Sequence, residues 1–262
     1  MRRGREARGG GLGRLPGGPA LSGATLLAPE GIAGAELRVE GESYKHLFRA
    51  RRLAVGDRLR VTDGRGGARQ AEVARIDRSA AVLTLREEAP ANEPAVALDL
   101  LVPTLRPERA SWMVEKATEI GVRAVHFLHT ERAPRHFGAG TLDRLRRVAA
   151  AALEQCHGAR LPEITGPHEW RDVAPLTAGA TVRWVLDPEA AVAAGWGSAA
   201  ATAALLIGPE GGWSAAERAE LQGAGWRAVG LGRRILRTET AAVVGAAALV
   251  LRAEIDPGAS SG

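Results

Sequence analysis

The sequence predicts an α/β protein in which a small β domain precedes a larger domain built on a mostly parallel sheet. After residue 95, apolar strand-like segments alternate with helical segments, which is the pattern of a parallel sheet covered by helices on both faces. Before residue 88, only short segments of alternating polarity occur, with turn residues between them. Residues 88–95, which contain two prolines and little periodicity, separate the two regions.

The individual elements follow from the same patterns. In the β domain, which we expect to form a small barrel, strands are predicted at residues 36–39, 58–62, 71–76 and 81–85. In the second domain, strands are predicted at residues 96–102, 123–128, 181–186, 203–207 and 228–231. Helices are predicted at residues 107–120, 141–154, 214–222 and 239–251. Ser214, followed three residues later by Glu217, predicts a capping box at the start of the third helix.

Two glycine-rich turns that follow predicted strands are the most informative feature. Strand 203–207 runs into the sequence GPEGG at 208–212, and strand 228–231 runs into Gly232 and then RRILRTET. Ligands of open α/β sheets bind at the carboxyl ends of strands, and glycine lets the main chain approach a ligand closely. Neither turn has the spacing of a dinucleotide fingerprint or a P-loop. The pair predicts a ligand site built largely from backbone, whereas the first turn alone fits a plain strand-to-helix connection equally well.

The composition is that of a soluble globular protein, with 25% charged and 45% hydrophobic residues among 262. The longest strongly apolar run, residues 241–251, is shorter than the ~20 residues that span a bilayer, so we expect no membrane segment. Residues 1–24 lack the apolar centre of a signal peptide. The single cysteine, Cys156, excludes an internal disulfide and fits a reducing compartment, so we expect a cytoplasmic protein.

The positive charge is concentrated at the N-terminus. The first 24 residues contain five arginines and one glutamate, and therefore carry four of the five net positive charges. We expect this Gly/Arg-rich extension (residues 1–24) to be disordered, and either to contact RNA phosphates nonspecifically or to have no dedicated role. A polar tail is predicted at residues 254–262.

No metal site is predicted. His126 and His129 are three residues apart, but they lie on a predicted strand and its exit, where alternation directs side chains to opposite faces. No carboxylate or cysteine accompanies them at the spacing of a zinc site.

Four segments resemble the 16S ribosomal RNA (uracil-N3)-methyltransferases of the knotted SPOUT superfamily. GPEGG, followed after about twenty residues by LGRRILRTETA, is similar to that family's paired motifs. Residues 109–122 resemble its KATELGV helix, and residues 154–164 resemble its EQ…R…VPEI segment. Residues 46–57 resemble the HL…VLRL…GD stretch of its small β-barrel domain. The chain departs from the family at Gly158, where an arginine is usual, and at Ala133, where serine is common.

The resemblance implies a PUA-like β-barrel RNA-binding domain at residues 25–90 and a trefoil-knotted SPOUT methyltransferase domain at residues 95–253. It implies S-adenosyl-L-methionine as cofactor, a homodimer, and methylation of N3 of one uridine in the 16S rRNA of the small ribosomal subunit. Ribose 2′-O-methylation by another SPOUT enzyme and a noncatalytic RNA-binding or ribosome assembly factor remain alternatives. The last predicted helix, apolar all round, predicts burial on every side, either within the chain or at a dimer contact.

The resemblance also assigns roles around the two turns. The expected cofactor-binding residues are Leu186, Ile207, Gly208, Pro209, Glu210, Gly211, Gly212, Leu231, Gly232, Ile235, Leu236 and Thr240. Arg237 is expected to stabilise negative charge on the uracil carbonyls, and Glu210 or Glu239 to accept the imide proton. For both glutamates a structural role is the alternative, with Glu210 accepting from turn amides and Glu239 favouring the helix start.

Basic residues are the candidates for RNA contacts, because arginine forks suit phosphate oxygens and stack on unpaired bases. The β domain concentrates seven of them within sixteen residues, including Lys45, Arg58 and Arg60. The predicted RNA-binding residues are His46, Arg49, Arg51, Arg52, Arg132 and Arg160. An ordinary solvated charged face is the alternative.

Overall fold

The computed structural model describes residues 23–132, 137–190 and 201–255. The predicted N-terminal extension and polar tail lie largely outside these ranges, and Ala133 lies outside them entirely. No helix within them is long and apolar enough to cross a membrane.

The first part of the chain forms a five-stranded sheet in the order β1-β3-β4-β5-β2. Its strands are β1 (Thr25–Leu27), β2 (Glu36–Glu40), β3 (Arg58–Thr62), β4 (Ala68–Ile76) and β5 (Ala80–Glu88). Neighbouring strands are antiparallel except β1 and β3, which are parallel. The four predicted strands are confirmed, while β1 was not predicted. Leu59, Val61 and Leu83 are fully buried in a core that is separate from the two cores of the second sheet.

A short helical segment connects β2 to β3 and was not predicted. Helix α1 (Gly41–Tyr44) continues into a π-helical turn, Lys45–Ala50. Leu47 and Phe48 are buried while their charged neighbours are exposed, so the segment is anchored by two apolar side chains. Its ten residues are too few to display a clear helical period in the sequence.

The rest of the chain forms a six-stranded parallel sheet in the order β11-β9-β10-β6-β7-β8. Its strands are β6 (Ala97–Pro103), β7 (Ala124–Leu128), β8 (Glu163–His168), β9 (Val182–Leu186), β10 (Thr202–Leu206) and β11 (Arg227–Val229). The predicted parallel sheet is confirmed. Strand β8 was missed because it contains Gly166 and Pro167, which the sheet accommodates at its edge.

Helices cover both faces of this sheet, as predicted. They are α2 (Pro107–Ile120), α3 (Thr141–Cys156), α4 (Val173–Leu176), α5 (Ala215–Gly223) and α6 (Thr238–Ile255). Alternate residues of the central strands enter opposite cores, because side chains along a strand alternate between faces. Leu100 and Leu205 pack in the same core as residues of α2, α3 and α6, whereas Leu101 and Leu206 pack with Trp213 and α5 on the other face.

The prediction that the last helix is buried on every side is wrong for the single chain. Ala242 and Ala246 are fully buried against the sheet, but Val244, Leu251 and Ile255 are 42%, 60% and 63% exposed. The apolar character of α6 could be predicted from the sequence, but the face that meets the sheet could not. An exposed apolar stripe therefore runs along α6.

The segment that resembles EQ…R…VPEI joins the two sheets. Gly66 N–H donates to Ala159 O at 2.9 Å, and Leu161 N–H donates to Gly64 O at 2.9 Å. The Glu93 carboxylate accepts from the Ala159 amide at 2.7 Å and from the amide of the next residue at 2.9 Å. The β3–β4 turn is thus docked on the chain that leaves α3 by backbone hydrogen bonds.

Candidate functional site

A cavity of about 500 Å³ opens at the carboxyl ends of β9, β10 and β11, between the two glycine-rich turns. All the predicted cofactor-binding residues except Thr240 line it. Thr240 lies in the first turn of α6, whose Thr238 and Ala241 line the cavity instead. The two turns, about twenty residues apart in the chain, are therefore brought to one edge of the sheet, as the carboxyl-end rule predicts.

The first turn, residues 208–212, approaches its neighbours closely at two of its three glycines. A Cβ on Gly208 would lie 3.1 Å from Trp213 Nε1, and one on Gly211 would lie 3.0 Å from Arg132 Cβ. Trp213 is 4% exposed and its indole N–H donates to Leu186 O at 3.1 Å. This tryptophan forms part of the cavity wall and was not predicted, because its indole contacts β9 only in the folded chain.

The capping box predicted at the start of α5 is present. Glu217 N–H donates to Ser214 Oγ at 3.2 Å, and the Glu217 carboxylate accepts from Ser214 N–H at 2.8 Å. The same carboxylate accepts from Glu131 N–H at 3.3 Å, and Arg132 donates to Gly211 O at 2.9 Å. The chain that leaves β7 is therefore held against the first turn.

The second turn, residues 232–237, is largely exposed, and its residues 234–237 line the cavity. Gly232 has a φ of +135°, a conformation that side chains rarely adopt, and Ile235 is 88% exposed. Arg237 is exposed and lines the cavity beside Arg234. Thr238 Oγ1 donates to Gly208 O at 3.2 Å and so links the two turns directly.

The two glutamates predicted as candidate bases share one partner, Arg109 of α2. Its Nη1 donates to Glu210 Oε1, and its Nε lies 3.5 Å from Glu239 Oε1. The Glu210 side chain is 63% exposed and Glu210 lines the cavity, whereas the Glu239 side chain is 9% exposed and Glu239 is not among the lining residues described. The structure therefore brings Glu210 to the cavity and leaves Glu239 behind it.

Asp187 is a second polar lining residue that sequence reasoning missed. It directly follows β9, is 7% exposed, and its carboxylate contacts the Arg218 guanidinium of α5. The rule that ligand sites lie at the carboxyl ends of strands could have identified it, because it directly follows the predicted strand 181–186.

The predicted RNA contacts of the β domain share one short segment. His46, Arg49, Arg51 and Arg52 are all exposed at or just after the π-helical turn. Arg60 does not belong with them. It is 6% exposed and donates to Pro90 O at 2.6 Å, because its strand position faces the linker between the sheets.

The other two predicted RNA contacts lie elsewhere. Arg132 is exposed beside the cavity, where it contacts the first turn. Arg160 is exposed at the junction of the two sheets, and its Nη2 would lie 2.7 Å from a Cβ on Gly66. A Cβ on Gly158 would lie 2.7 Å from Leu153 Cδ1, so the residue that departs from the family pattern is closely packed.

His126 on β7 contacts a side chain of the neighbouring strand β8. His126 Nδ1 lies 2.7 Å from Thr165 Oγ1, which also lies 2.7 Å from His168 Nε2. Burial lowers the pKa of His126, which favours the neutral imidazole. Among the residues described, no group of His, Cys, Asp or Glu is arranged to hold a metal ion.

Comparison with known proteins gives the class of the protein. A family model described as an RNA methyltransferase domain matches residues 92–250, which contain the parallel sheet and the cavity. A second, described as an RNA methyltransferase PUA domain, matches residues 39–86. The sheet, the cavity at its carboxyl edge and these matches define an RNA methyltransferase with a PUA-like domain.

Individual relatives narrow this class to a family. The ribosomal RNA small subunit methyltransferase E of Mycobacterium tuberculosis is 32% identical over 243 residues, covering 87% of this chain and 91% of that protein. The protein of the same name from Synechocystis is 29% identical over 227 residues, covering 84% of this chain and 74% of that protein. The chain belongs to the ribosomal RNA small subunit methyltransferase E family.

Solved structures share the fold. A probable rRNA-methyltransferase from Porphyromonas gingivalis superimposes with a TM-score of 0.77 at 29% identity, over 87% of this chain and 98% of that one. A ribosomal RNA small subunit methyltransferase E from Neisseria gonorrhoeae bound to S-adenosyl methionine has a TM-score of 0.77 at 24% identity, over 89% and 98% of the two chains.

Proposed function

We propose that the protein is an S-adenosyl-L-methionine-dependent methyltransferase that methylates N3 of one uridine in the 16S rRNA of the small ribosomal subunit. The observation that carries this proposal is the cavity between two glycine-rich turns with Arg237 at its rim. Family membership supports the substrate class, because the relatives are named for methylation of small-subunit ribosomal RNA.

The cavity fits the proposed cofactor. Its volume of about 500 Å³ falls within the roughly 300–1,000 Å³ of typical ligand pockets. Leu186, Ile207 and Val229 give it an apolar wall, and the glycines leave backbone groups accessible. When bound, the cofactor supplies a methyl group already activated on a sulfonium, so the protein has mainly to bind and orient.

The side chains at the rim have separate roles in this proposal. The Arg237 guanidinium stabilises the negative charge that develops on the uracil carbonyls as N3 loses its proton. Glu210 is the better placed of the two candidate bases, because its carboxylate is exposed at the cavity while that of Glu239 is buried. This carboxylate would accept the uracil N3 proton, and the N3 lone pair would take the methyl group as its bond to the cofactor's sulfur breaks, with the electron pair of that bond remaining on sulfur.

A labelling experiment tests the proposal and its alternatives. Purified protein is incubated with methyl-labelled cofactor and small ribosomal subunits that lack the modification, and the RNA is digested to nucleosides. We expect label in 3-methyluridine. Label in a ribose 2′-O-methylated nucleoside would support another SPOUT reaction, and protein that binds subunits but no cofactor would support a noncatalytic assembly factor.

We propose that the RNA lies across the β domain and reaches the cavity past the junction of the two sheets. The exposed residues His46, Arg49, Arg51 and Arg52 support this path, together with Arg160 at the junction and Arg132 beside the first turn. Replacing Arg51 and Arg52 with alanine should make the slope of log K for subunit binding against log salt concentration shallower. The change should correspond to the loss of about two phosphate contacts. An unchanged salt slope would instead favour an ordinary solvated face.

We also propose a cytoplasmic homodimer whose chain forms the trefoil knot of SPOUT proteins. The exposed apolar stripe Val244, Leu251 and Ile255 on α6 supports the dimer, because a second copy would remove it from water. Leu251→Asp should shift the protein to a monomer in analytical ultracentrifugation, and a wild-type monomer would refute the dimer. An experimental trace of the chain through residues 186–240 would test the knot, which rests on the family resemblance.

A further inference from the structure

We propose that Arg109 is a positioning residue that holds the two glycine-rich turns at the separation the cofactor requires. The inference rests on the proposed function, since the cavity that Arg109 would shape is the proposed S-adenosyl-L-methionine site. Arg109 does not line this cavity.

One guanidinium contacts both turns through their glutamates. Arg109 Nη1 donates to Glu210 Oε1 in the first turn. Arg109 Nε lies 3.5 Å from Oε1 of Glu239, which follows the second turn at the start of α6. The two turns therefore share a single cation, which lies in the first turn of a helix that belongs to neither.

The helix that carries Arg109 is a fixed point of the fold. Met113 and Val114, within the next five residues of α2, are fully buried in the main core. Helix α2 also packs along α6, the helix that follows the second turn. Because α2 is packed in the core next to Arg109, the position of this helix sets where the guanidinium holds both carboxylates, and hence both turns.

The site requires an arginine and not merely a positive charge. The guanidinium is a planar fork whose donors point in different directions, so it reaches two carboxylates on separate segments, whereas lysine presents a compact point charge. Glu239 makes the requirement stricter, since its side chain is 9% exposed and its Oε2 is buried without a hydrogen-bond partner among the residues described. Loss of Arg109 would leave a buried carboxylate without the cation it faces, which is costly.

A second link between the turns, found among the residues that the structure describes, is weak by comparison. Thr238 Oγ1 donates to Gly208 O at 3.2 Å, a neutral hydrogen bond. Charge-assisted hydrogen bonds are roughly twice as strong as neutral ones. Removing Arg109 should therefore relax the spacing of the turns, and the loss should appear in cofactor affinity.

Isothermal titration calorimetry with S-adenosyl-L-methionine tests this inference on the full-length protein and its variants. We expect Arg109→Gln to raise the cofactor Kd about tenfold, which is a typical size for the coupling between a binding site and a residue outside it. Arg109→Lys should raise the Kd by an intermediate amount. The matched control is Lys116→Gln. Lys116 lies on the same helix and pairs with Glu115 and Glu119 at 2.7 Å, but it is not near the cavity, so its replacement should change Kd less than about twofold.

A double-mutant comparison separates positioning from a general loss of stability. Arg109→Gln combined with Glu210→Gln should raise Kd by less than the product of the two single effects, because both remove the same contact. If Arg109→Gln does not fold, the same comparison is made with Arg109→Lys, alone and combined with Glu210→Gln. A double variant whose rise in Kd equals the product of the two single effects would overturn the inference.

The possible failures are distinguishable. If wild-type protein binds the cofactor and Arg109→Gln binds it as tightly as Lys116→Gln does, the positioning role is refuted while the proposed function stands. If wild-type protein does not bind the cofactor, both are refuted.

Discussion

The two glycine-rich turns that enclose the cavity are held in very different ways. The first, residues 208–212, is fixed by the Trp213 indole, by Arg132 and by the capping box of α5. The second, residues 232–237, is bounded by α6 but exposes its side chains, and Ile235 is 88% exposed. Segments with few buried contacts have low local stability. The comparison indicates that the first turn is a preformed wall and that the second turn is the more loosely held of the two.

The largest effect should come from the second turn. Arg237→Ala should lower kcat roughly 100- to 1,000-fold, the usual cost of removing one group that stabilises charge in the transition state. Because Arg237 is exposed, neither folding nor cofactor affinity should change much. Methyl transfer to small subunits and calorimetry measure the two quantities. Arg233→Ala is the control, since Arg233 is exposed on the same turn but is not among the cavity residues described. An equal loss of kcat in both variants would show that Arg237 has no part in the proposed chemistry.

A bulky residue in the first turn should be the next most damaging change. Gly208→Val would place Cβ 3.1 Å from Trp213 Nε1, and the extra methyl groups would overpack the wall at a cost of about 2 kcal/mol. Cofactor affinity should fall with it. Chemical denaturation and calorimetry measure both. Gly212→Ala is the matched control, because no atom lies within 4 Å of its Cβ and the expected cost, from a φ of +69°, is about 1 kcal/mol. Similar losses in the two variants would contradict the preformed wall.

Trp213→Phe should have a smaller effect on the same wall. The indole N–H that donates to Leu186 O is lost, which should lower the free energy of unfolding by about 1 kcal/mol. The phenyl ring keeps much of the packing against Trp170, whose ring centroid lies 5.7 Å away. Trp112→Phe, at a position that is 43% exposed, should leave stability unchanged in the same denaturation experiment. A stable Trp213→Phe protein would mean that the first turn does not depend on this hydrogen bond.

The smallest effect on stability should come from Ile235. Ile235→Ser should change the free energy of unfolding by less than about 0.5 kcal/mol, because the side chain is already in water. Ile207→Val, at a position 1% exposed at the end of β10, should cost about 1 kcal/mol although it removes only one methylene. If Ile235→Ser is the more destabilising of the two, the second turn is not the loosely held one and the comparison is wrong.

Much of the fold could be predicted because its signals are local. Helix α2 spans the predicted residues 107–120, with Pro107 at its start and Gly121 as its C-cap, and the capping box of Ser214 and Glu217 begins α5. Alternation predicted the parallel sheet, and the carboxyl-end rule predicted that both turns meet at one edge. Strand β8 escaped because Gly166 and Pro167 suppress its pattern, and α1 escaped because it is short.

Only the backbone part of the candidate site could be predicted from the sequence. The glycines and their flanking strand ends were identifiable, but Trp213, Asp187 and Arg109 were not, since each acts through a contact between segments distant in sequence. Arg109 lies 101 residues from Glu210, and nothing in the spacing of either indicates that they meet.

The sequence by itself determined most of the elements, their order and the family, because hydrophobic period, capping and turn chemistry are properties of neighbouring residues. Tertiary structure alone decided which face of α6 is exposed, that Arg60 is buried, and that one arginine faces both candidate bases. These outcomes depend on how elements pack against one another, and packing brings together residues whose separation along the chain carries no information about their distance in space.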